Sequence, residues 1–315
     1  MDDYLFSYAE PNTPPVKRHM IRLIEKATGQ PYLKRLYLKS QQNYSGGCSF
    51  FDDAVRMLSL DVNYDAEALA AIPAQGPVVI VANHPYGVLD GIVISWLISR
   101  VREDFLVLTN AVLLRAPEIR DYVLAVDFSD TPEAMETNIR SRARARAHLD
   151  AGGVIVVFPA GGISTAPDRL GRKPAVDAPW GTFTANLIQR SKAPVVPIWF
   201  AGQNSRLFQI ASHLSMSLRL SLVFHEVRSR VGTVLPVVIG APIPFSELSD
   251  IKDRQSLMNE LRRRTYQLAE RLSPALSAKA VKRRPRPVEL AVRANVALKN
   301  LIEKKRAKAR KHSAN

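Results

Sequence analysis

Cysteine is nearly missing from this sequence, with Cys48 alone in 315 residues. A lone thiol excludes an internal disulfide framework and any cysteine-rich zinc site, and it suits a reducing, cytoplasmic compartment. The six histidines show no ligand-like spacing, and neither a Gly-x-Gly-x-x-Gly run nor a phosphate-loop sequence occurs. Ser164 and Ser205 lack the Gly-x-Ser-x-Gly setting of a serine hydrolase. The sequence therefore predicts no metal and no nucleotide cofactor.

Long apolar runs are also absent. The longest ones, such as residues 77–81 and 154–158, have the length of strands, whereas a membrane span needs roughly 20 apolar residues. The first residues, M-D-D-Y-L-F-S-Y, lack the basic start and apolar stretch of a secretory signal. We therefore expect a cytoplasmic protein with no spanning helix.

Short apolar strands alternate with helical segments from residue 77 onward. Strands are predicted at 78–82, 105–108, 123–126, 154–158, 195–200 and 235–239, with helices at about 89–101, 131–150, 181–192 and 203–213. Such uniformly apolar strands are covered on both faces. The pattern predicts an α/β fold with a mostly parallel or mixed central sheet flanked by helices.

Three regions follow from this pattern. We predict an N-terminal helical lead over 1–69, one α/β domain over 70–250, and a helix with a basic C-terminal helical extension over 251–315. The net charge of +15 divides unevenly between them: residues 1–250 hold 25 Lys and Arg against 24 Asp and Glu, whereas residues 251–315 hold 19 against 5. A cationic region of this kind is attracted to nucleic acid or to an anionic membrane surface.

Residues 79–91 read V-I-V-A-N-H-P-Y-G-V-L-D-G. Active residues of open α/β sheets gather beyond the carboxyl ends of strands, and His84 stands two residues past such an end. A carboxylate such as Asp90 can hold one ring nitrogen of a histidine that acts as general base. The alternative interpretation is a strand end, a proline turn and a helix whose first turn carries a capping aspartate.

Two other strand ends carry candidate binding residues. Residues 158–165, F-P-A-G-G-I-S-T, contain glycines whose N–H groups can bind a phosphate or an oxyanion, or form an ordinary turn. Residues 193–200, A-P-V-V-P-I-W-F, include Pro197, which cannot donate to a ladder and predicts a bulge or an edge. The sequence G-Q-N-S follows at 202–205.

In this order the pieces resemble the glycerolipid acyltransferase superfamily over about residues 70–245, and most of all its hemolysin-like or ornithine-lipid acyltransferase branch. The branch motif Asn-His-Pro-x-Gly-x-x-acid-Gly is matched by Asn83, His84, Pro85, Gly87, Asp90 and Gly91. The resemblance implies that His84 is the general base and Asp90 its partner. It implies substrate-binding roles for the following residues: Asn83, Gly87, Gly91, Asn110, Pro159, Gly161, Gly162, Ser164, Asn204 and Ser205.

The sequence also differs from the family motifs at several positions. Five residues separate His84 from Asp90, where the better-known phospholipid branch has four. Ala160 and Ile163 replace the glutamate and arginine of that branch's third motif, and Gly162 stands where the hemolysin-like branch has a glutamate. Residues 110–120 take the place of the second motif. These departures argue against simple recognition of glycerol phosphate.

The resemblance implies acyl transfer from acyl-CoA or an acyl carrier protein, as co-substrate, to a lysophospholipid or lyso-ornithine lipid. For the cationic end we weigh a solvated tail, a membrane-surface helix, and nucleic-acid binding, which the lack of aromatic residues in 275–315 disfavours. We expect a peripheral protein on the cytoplasmic face of the inner membrane, bound to anionic lipid through this region. The rival hypothesis is a catalytically inactive membrane- or nucleic-acid-binding protein with the same fold.

Overall fold

The computed structural model describes residues 7, 14–42, 44–127, 129 and 131–272. Its strands are β1 (Asp61–Asn63), β2 (Val78–Ala82), β3 (Phe105–Asn110), β4 (Val123–Val126), β5 (Val154–Val157), β6 (Val195–Phe200) and β7 (Val234–Ile239). Its helices are α1 (Pro15–Thr28), α2 (Gln30–Gln41), α3 (Ser49–Met57), α4 (Ala66–Ala70), α5 (Val88–Ser99), α6 (Pro132–Asp150), α7 (Phe183–Ser191), α8 (Arg206–Leu214), α9 (Met216–Ser221), α10 (Val223–Arg230) and α11 (Arg254–Gln267). Shorter 3₁₀ helices span Ala111–Arg115, Pro117–Tyr122, Phe245–Glu247 and Leu268–Arg271.

The seven strands form one mixed sheet in the order β1-β7-β6-β2-β5-β3-β4. Every neighbouring pair is parallel except β6 with β7. The predicted α/β fold is confirmed, and all six predicted strands are present. Strand β2 lies in the middle of this order, with β5, β3 and β4 on one side and β6, β7 and β1 on the other. Open α/β sheets bind ligands at the carboxyl ends of the strands where the chain connections diverge to the two sides in this way.

Side-chain alternation divides the core into two layers. On β2, Val78, Ile80 and Ala82 join the layer that packs against α3, α5 and α10, while Val79 and Val81 join the layer against α7 and α11. Strands buried on both faces need apolar residues at every position, which is why β2 has no polar side chain. Helix α5 is itself enclosed, with Leu89, Val93 and Leu97 buried.

The elements that the sequence left unassigned are short or polar. Strand β1 has three residues and pairs with β7, and α9 and α10 are two brief helices between α8 and β7. The α10 sequence V-F-H-E-V-R-S-R has little apolar periodicity. Val223 and Val227 alone therefore did not predict a helix, although both are buried in the structure. These helices matter because α10 supplies a wall of the internal cavity described below.

Pro197 lies in an interior strand, at a bulge. Ile198 pairs with Ile239 in the antiparallel β6–β7 ladder, but Val195 bridges to Ile243, so the β7 side carries one residue more over this interval. The Pro197 carbonyl accepts a hydrogen bond from Gly240 N at 2.8 Å. The missing proline N–H therefore falls where the ladder is interrupted.

Helix α11 packs onto the sheet, although the sequence pattern placed it in one region with the basic extension, at 251–315. Leu257, Met258 and Leu261 are fully buried in the layer that contains Val79 and Val81. The boundaries at 69/70 and 250/251 stay predictions. The predicted basic C-terminal helical extension beyond residue 272 lies outside the described residues. Within the part that the structure describes, no helix is both long and apolar enough to cross a membrane.

Candidate active site

The carboxyl ends of β2, β5 and β6 meet at one edge of the sheet. His84 follows β2, Phe158 and Pro159 follow β5, and Ala201 follows β6. The His84 ring stacks on Phe158 with ring centroids 4.1 Å apart. Two of the candidate stretches that are distant in sequence are therefore in direct contact here.

His84 and Asp90 form a close pair at this edge. His84 Nδ1 lies 3.1 Å from Asp90 Oδ2, and 18 % of the histidine side chain is exposed while the aspartate side chain is fully buried. The distance is that of a hydrogen bond, but the ring is not oriented well enough to complete one. Among the described residues Asp90 Oδ1 also has no partner.

Asp90 also caps the start of α5. Its Oδ2 accepts hydrogen bonds from Tyr86 N at 2.8 Å and Gly87 N at 2.9 Å. Burial raises the pKa of the Asp90 carboxyl, and the contacts with His84 and with these two N–H groups lower it in part. One carboxylate therefore both fixes the turn and lies against the histidine, and the role of His84 as a base stays a prediction.

The turn between His84 and Asp90 needs glycine at position 87. Gly87 has φ +74°, and a Cβ there would lie 2.6 Å from Ile163 Cδ1. Any side chain would be strained by the backbone angle and would clash with the loop after β5. Gly91 differs, since it is helical and a Cβ there would meet nothing within 4 Å.

Asn83 joins two strands. Its Nδ2 donates to Phe200 O at 2.9 Å, and its Oδ1 accepts from Phe200 N at 2.7 Å. Both polar atoms of this buried amide are thus used to tie the end of β2 to the end of β6. The geometry assigns Asn83 a positioning function, which differs from the substrate contact that the resemblance implies.

Asp177 is a site residue that sequence reasoning missed. Its Oδ1 accepts from His84 N and from Ser164 Oγ, and its Oδ2 accepts from Trp180 Nε1 at 2.9 Å. Helix α11 supports it in turn, because Arg262 donates to the Asp177 carbonyl. An isolated acid in a loop with prolines gives no periodic signal, so only the fold shows that it holds the His84 backbone.

The loop after β5 approaches His84 through its backbone. Ser164 is buried and its N–H donates to His84 O at 2.8 Å. Pro159 O accepts from Gly181 N, and the Gly161 N–H donates to Phe158 O at 3.0 Å, so in this structure Gly161 closes a turn. Gly162 is exposed. Their binding roles stay predictions.

The remaining candidates lie at the end of β3 and after β6. Ser205 caps α8 and donates from Oγ to Glu226 Oε1 at 2.6 Å. Asn204 is 2 % exposed, and neither side-chain polar atom has a hydrogen-bond partner among the described residues. Asn110 ends β3 and is exposed. No three His, Cys, Asp or Glu side chains of the described chain come together as metal ligands would.

An apolar cavity of about 230 Å³ opens beside α5. On α5 its lining includes Val88, Gly91 and Ile92, which flank Asp90 in sequence. The cavity extends among α2, α3 and α10, and these elements contribute the following lining residues: Leu33, Leu36, Phe50, Phe51, Met57, Leu58, Val223, Phe224 and Val227. Arg115 and Ser7 are among its few polar lining residues. A long hydrocarbon chain is the kind of group that such a lining accommodates.

Removing the Asn83 amide tests its positioning function. We expect Asn83→Ala to lower the free energy of unfolding by about 2–4 kcal/mol, because the N–H and C=O of Phe200 are left buried without partners. Urea unfolding measures the change. Asn259→Ala, an exposed asparagine on α11, is the control and should stay within about 0.5 kcal/mol. Equal stability of both variants with the wild type contradicts the assignment.

Comparisons with known proteins show what this chain is similar to. Two lyso-glycine lipid O-acyltransferases are each 23 % identical to the chain: that of Bacteroides thetaiotaomicron over 61 % of this chain and 70 % of its own length, and that of Phocaeicola vulgatus over 75 % and 83 %. Among solved structures, the 1-acyl-sn-glycerophosphate (LPA) acyltransferase PlsC from Thermotoga maritima has a TM-score of 0.46 at 17 % identity, covering 86 % of this chain and 88 % of that one.

The family model described as "Acyltransferase" matches residues 46–275, a range that contains the whole sheet, the His84–Asp90 pair and α11. With most of its length inside that match, this chain belongs to the acyltransferase family of enzymes.

Proposed function

We propose that the protein transfers a fatty acyl group from a thioester donor to the hydroxyl of a lysolipid, with His84 as the general base. The observation that carries this proposal is the buried Asp90 carboxylate 3.1 Å from His84 Nδ1, on a helix that also lines an apolar cavity. The pair supplies proton transfer, and the cavity supplies a place for hydrocarbon next to it.

The proton movements follow from the chemistry of the pair. With Nδ1 held towards Asp90, the other ring nitrogen takes the proton of the acceptor hydroxyl as its oxygen attacks the thioester carbonyl carbon. The tetrahedral intermediate then collapses, the C–S bond breaks, and the imidazolium returns the proton to the departing thiolate. Asp90 stabilises the imidazolium between these two steps. No acyl-enzyme forms, because the acceptor oxygen attacks directly.

The acceptor is proposed from the relatives together with the departures from the phospholipid pattern. Two relatives at 23 % identity carry the name lyso-glycine lipid O-acyltransferase. A lysolipid with an amino-acid head group, of the glycine or ornithine type, therefore suits the chain better than a simple glycerol phosphate. The donor is a thioester of coenzyme A or of a carrier protein.

Replacing His84 tests the chemistry. We expect His84→Ala to lower kcat by about 10²–10⁴-fold, because the acceptor hydroxyl loses its base, while the fold is kept. The measurement is transfer of a labelled acyl group from carrier protein and coenzyme A donors to a panel of lysolipids. His19→Ala, an exposed histidine on α1, is the control and should retain full turnover.

The outcomes of this assay separate the hypotheses. Full turnover by His84→Ala removes the histidine from the mechanism. If the folded wild-type protein transfers no acyl group to any acceptor in the panel, the result favours the inactive binding protein instead.

Filling the cavity next to Asp90 tests its role in holding the acyl chain. Gly91→Leu places a side chain in open space, and leucine favours a helix over glycine by about 0.5–1 kcal/mol, so the fold is retained. We expect turnover with a long-chain donor to fall at least about tenfold while a short-chain donor is little affected. Gly91→Ala is the matched control. An equal effect on both donors contradicts the assignment.

We further propose that the protein meets the bilayer as a peripheral protein, with α1 contributing to the contact. Val16, Met20 and Leu23 are spaced by one helical turn and are each more than half exposed, and Arg22 and Lys26 beside them are exposed cations. An apolar stripe flanked by cations suits an anionic lipid surface. The cationic end at 275–315 lies outside the described residues, and its part in binding stays a prediction.

Polar replacement of the α1 stripe tests this contact. We expect Val16→Asn, Met20→Asn and Leu23→Asn together to weaken co-sedimentation with anionic vesicles by at least about tenfold, because apolar side chains no longer enter the interface. The matched control is Met135→Asn with Ile139→Asn, which removes two equally exposed apolar side chains from α6. If all three proteins sediment alike, α1 does not face the membrane.

A further inference from the structure

A second concavity lies on the other side of the sheet, away from α5. It is a groove of about 420 Å³ between α6 and α7, closed at one side by the start of α11. Its lining residues are Ile139, Arg142, Arg146, Thr182, Phe183, Asn186 and Arg254. Three guanidinium groups thus surround one groove whose lining contains no carboxylate.

The charges in this groove are not balanced within the described chain. Helix α6 carries arginines at 140, 142, 144 and 146; Arg140 pairs with Glu136, and Arg144 donates to backbone carbonyls. The Arg142 guanidinium lies 5.5 Å from the Phe183 ring centroid, and no salt bridge to Arg142, Arg146 or Arg254 occurs among the described residues. Like charges gathered in this way attract an anionic ligand.

The groove continues into an exposed apolar strip. Ile139 is 57 % exposed, and Met135, one turn earlier on the same face of α6, is 67 % exposed. Arginine, methionine and aromatic side chains around apolar surface are the composition that protein interfaces favour. A small phosphate-bearing molecule would use the arginines but not the aliphatic side chains beside them.

The groove also begins next to the catalytic edge. Thr182 and Phe183 directly follow Gly181, whose N–H donates to Pro159 O at 2.9 Å, and Pro159 follows the Phe158 ring that stacks on His84. A partner seated on α6 and α7 therefore lies beside the strand ends where the thioester must be presented.

We infer that this groove docks an acidic carrier protein, which presents the acyl thioester to His84 on its flexible arm. The inference rests on the proposed function and names the donor's carrier. Charge complementarity selects an acidic partner, and the exposed Met135 and Ile139, one helical turn apart, supply apolar contact for a helix laid along α6.

Charge reversal in the groove tests the inference. Arg142→Glu with Arg146→Glu is compared with Arg35→Glu with Lys39→Glu, which changes the net charge equally at two exposed positions of α2. The same acyl group is supplied on an acyl carrier protein, on coenzyme A and on pantetheine alone. We expect the groove variant to raise KM at least about tenfold for the carrier-protein donor alone, with kcat unchanged, and the α2 variant to leave all three unchanged.

Other combinations of KM changes among the three donors overturn the inference. An unchanged KM for the carrier-protein donor excludes docking here, an increase for coenzyme A alone identifies a nucleotide site, and an increase for pantetheine shows damage to the catalytic edge.

A binding measurement keeps this inference separate from the proposed chemistry. Fluorescence anisotropy follows titration of labelled, unacylated carrier protein with each variant. We expect the wild type and His84→Ala to bind alike and the groove variant to bind at least about tenfold more weakly. This result stands even if His84 proves unnecessary for transfer. Failure of the wild type to bind the carrier, or equal binding by the groove variant, overturns the inference.

Discussion

The site depends on a single carboxylate oxygen. Asp90 Oδ2 accepts from the N–H groups of Tyr86 and Gly87 and lies 3.1 Å from His84 Nδ1, so it holds the turn, the start of α5 and the histidine together. Burial destabilises the charged form of Asp90 and so raises the pKa of its carboxyl. The opposite oxygen, Oδ1, has no hydrogen-bond partner among the described residues. The contacts on the one oxygen favour the charged form and oppose the effect of burial on this pKa in part.

Around that oxygen, buried polar groups fix the backbone at the carboxyl ends of β2 and β6. Asn83 joins β2 to β6, and Asp177 holds the His84 N–H, the Ser164 hydroxyl and the Trp180 ring. Each of these groups is buried and each is used for positioning. Their satisfied hydrogen bonds make the strand ends that carry His84 rigid.

The sequence predicted structure correctly where the residue types of a short segment favour a single local arrangement. Uniformly apolar strands predicted the sheet, and the run from Asn83 to Gly91 predicted the His84–Asp90 contact, which the structure has. Local patterns could not reveal Asp177, because its partners Ser164 and Trp180 meet it only through folding. The cavity was equally hidden, since α10 has weak periodicity and its wall combines elements from residue 33 to residue 227. The use of Asn83 as a link between strands also depends on the placement of Phe200, 117 residues away.

The central claim is that the acyl chain lies in the cavity beside α5 with its carbonyl at His84. A crystal structure with a non-transferable thioether analogue of a long-chain acyl donor tests this most directly. The account predicts the hydrocarbon between α2, α3 and α10, with the carbon that replaces the carbonyl beside the His84 ring and no other hydrocarbon site occupied. Electron density for the chain elsewhere, with the cavity empty, would contradict it.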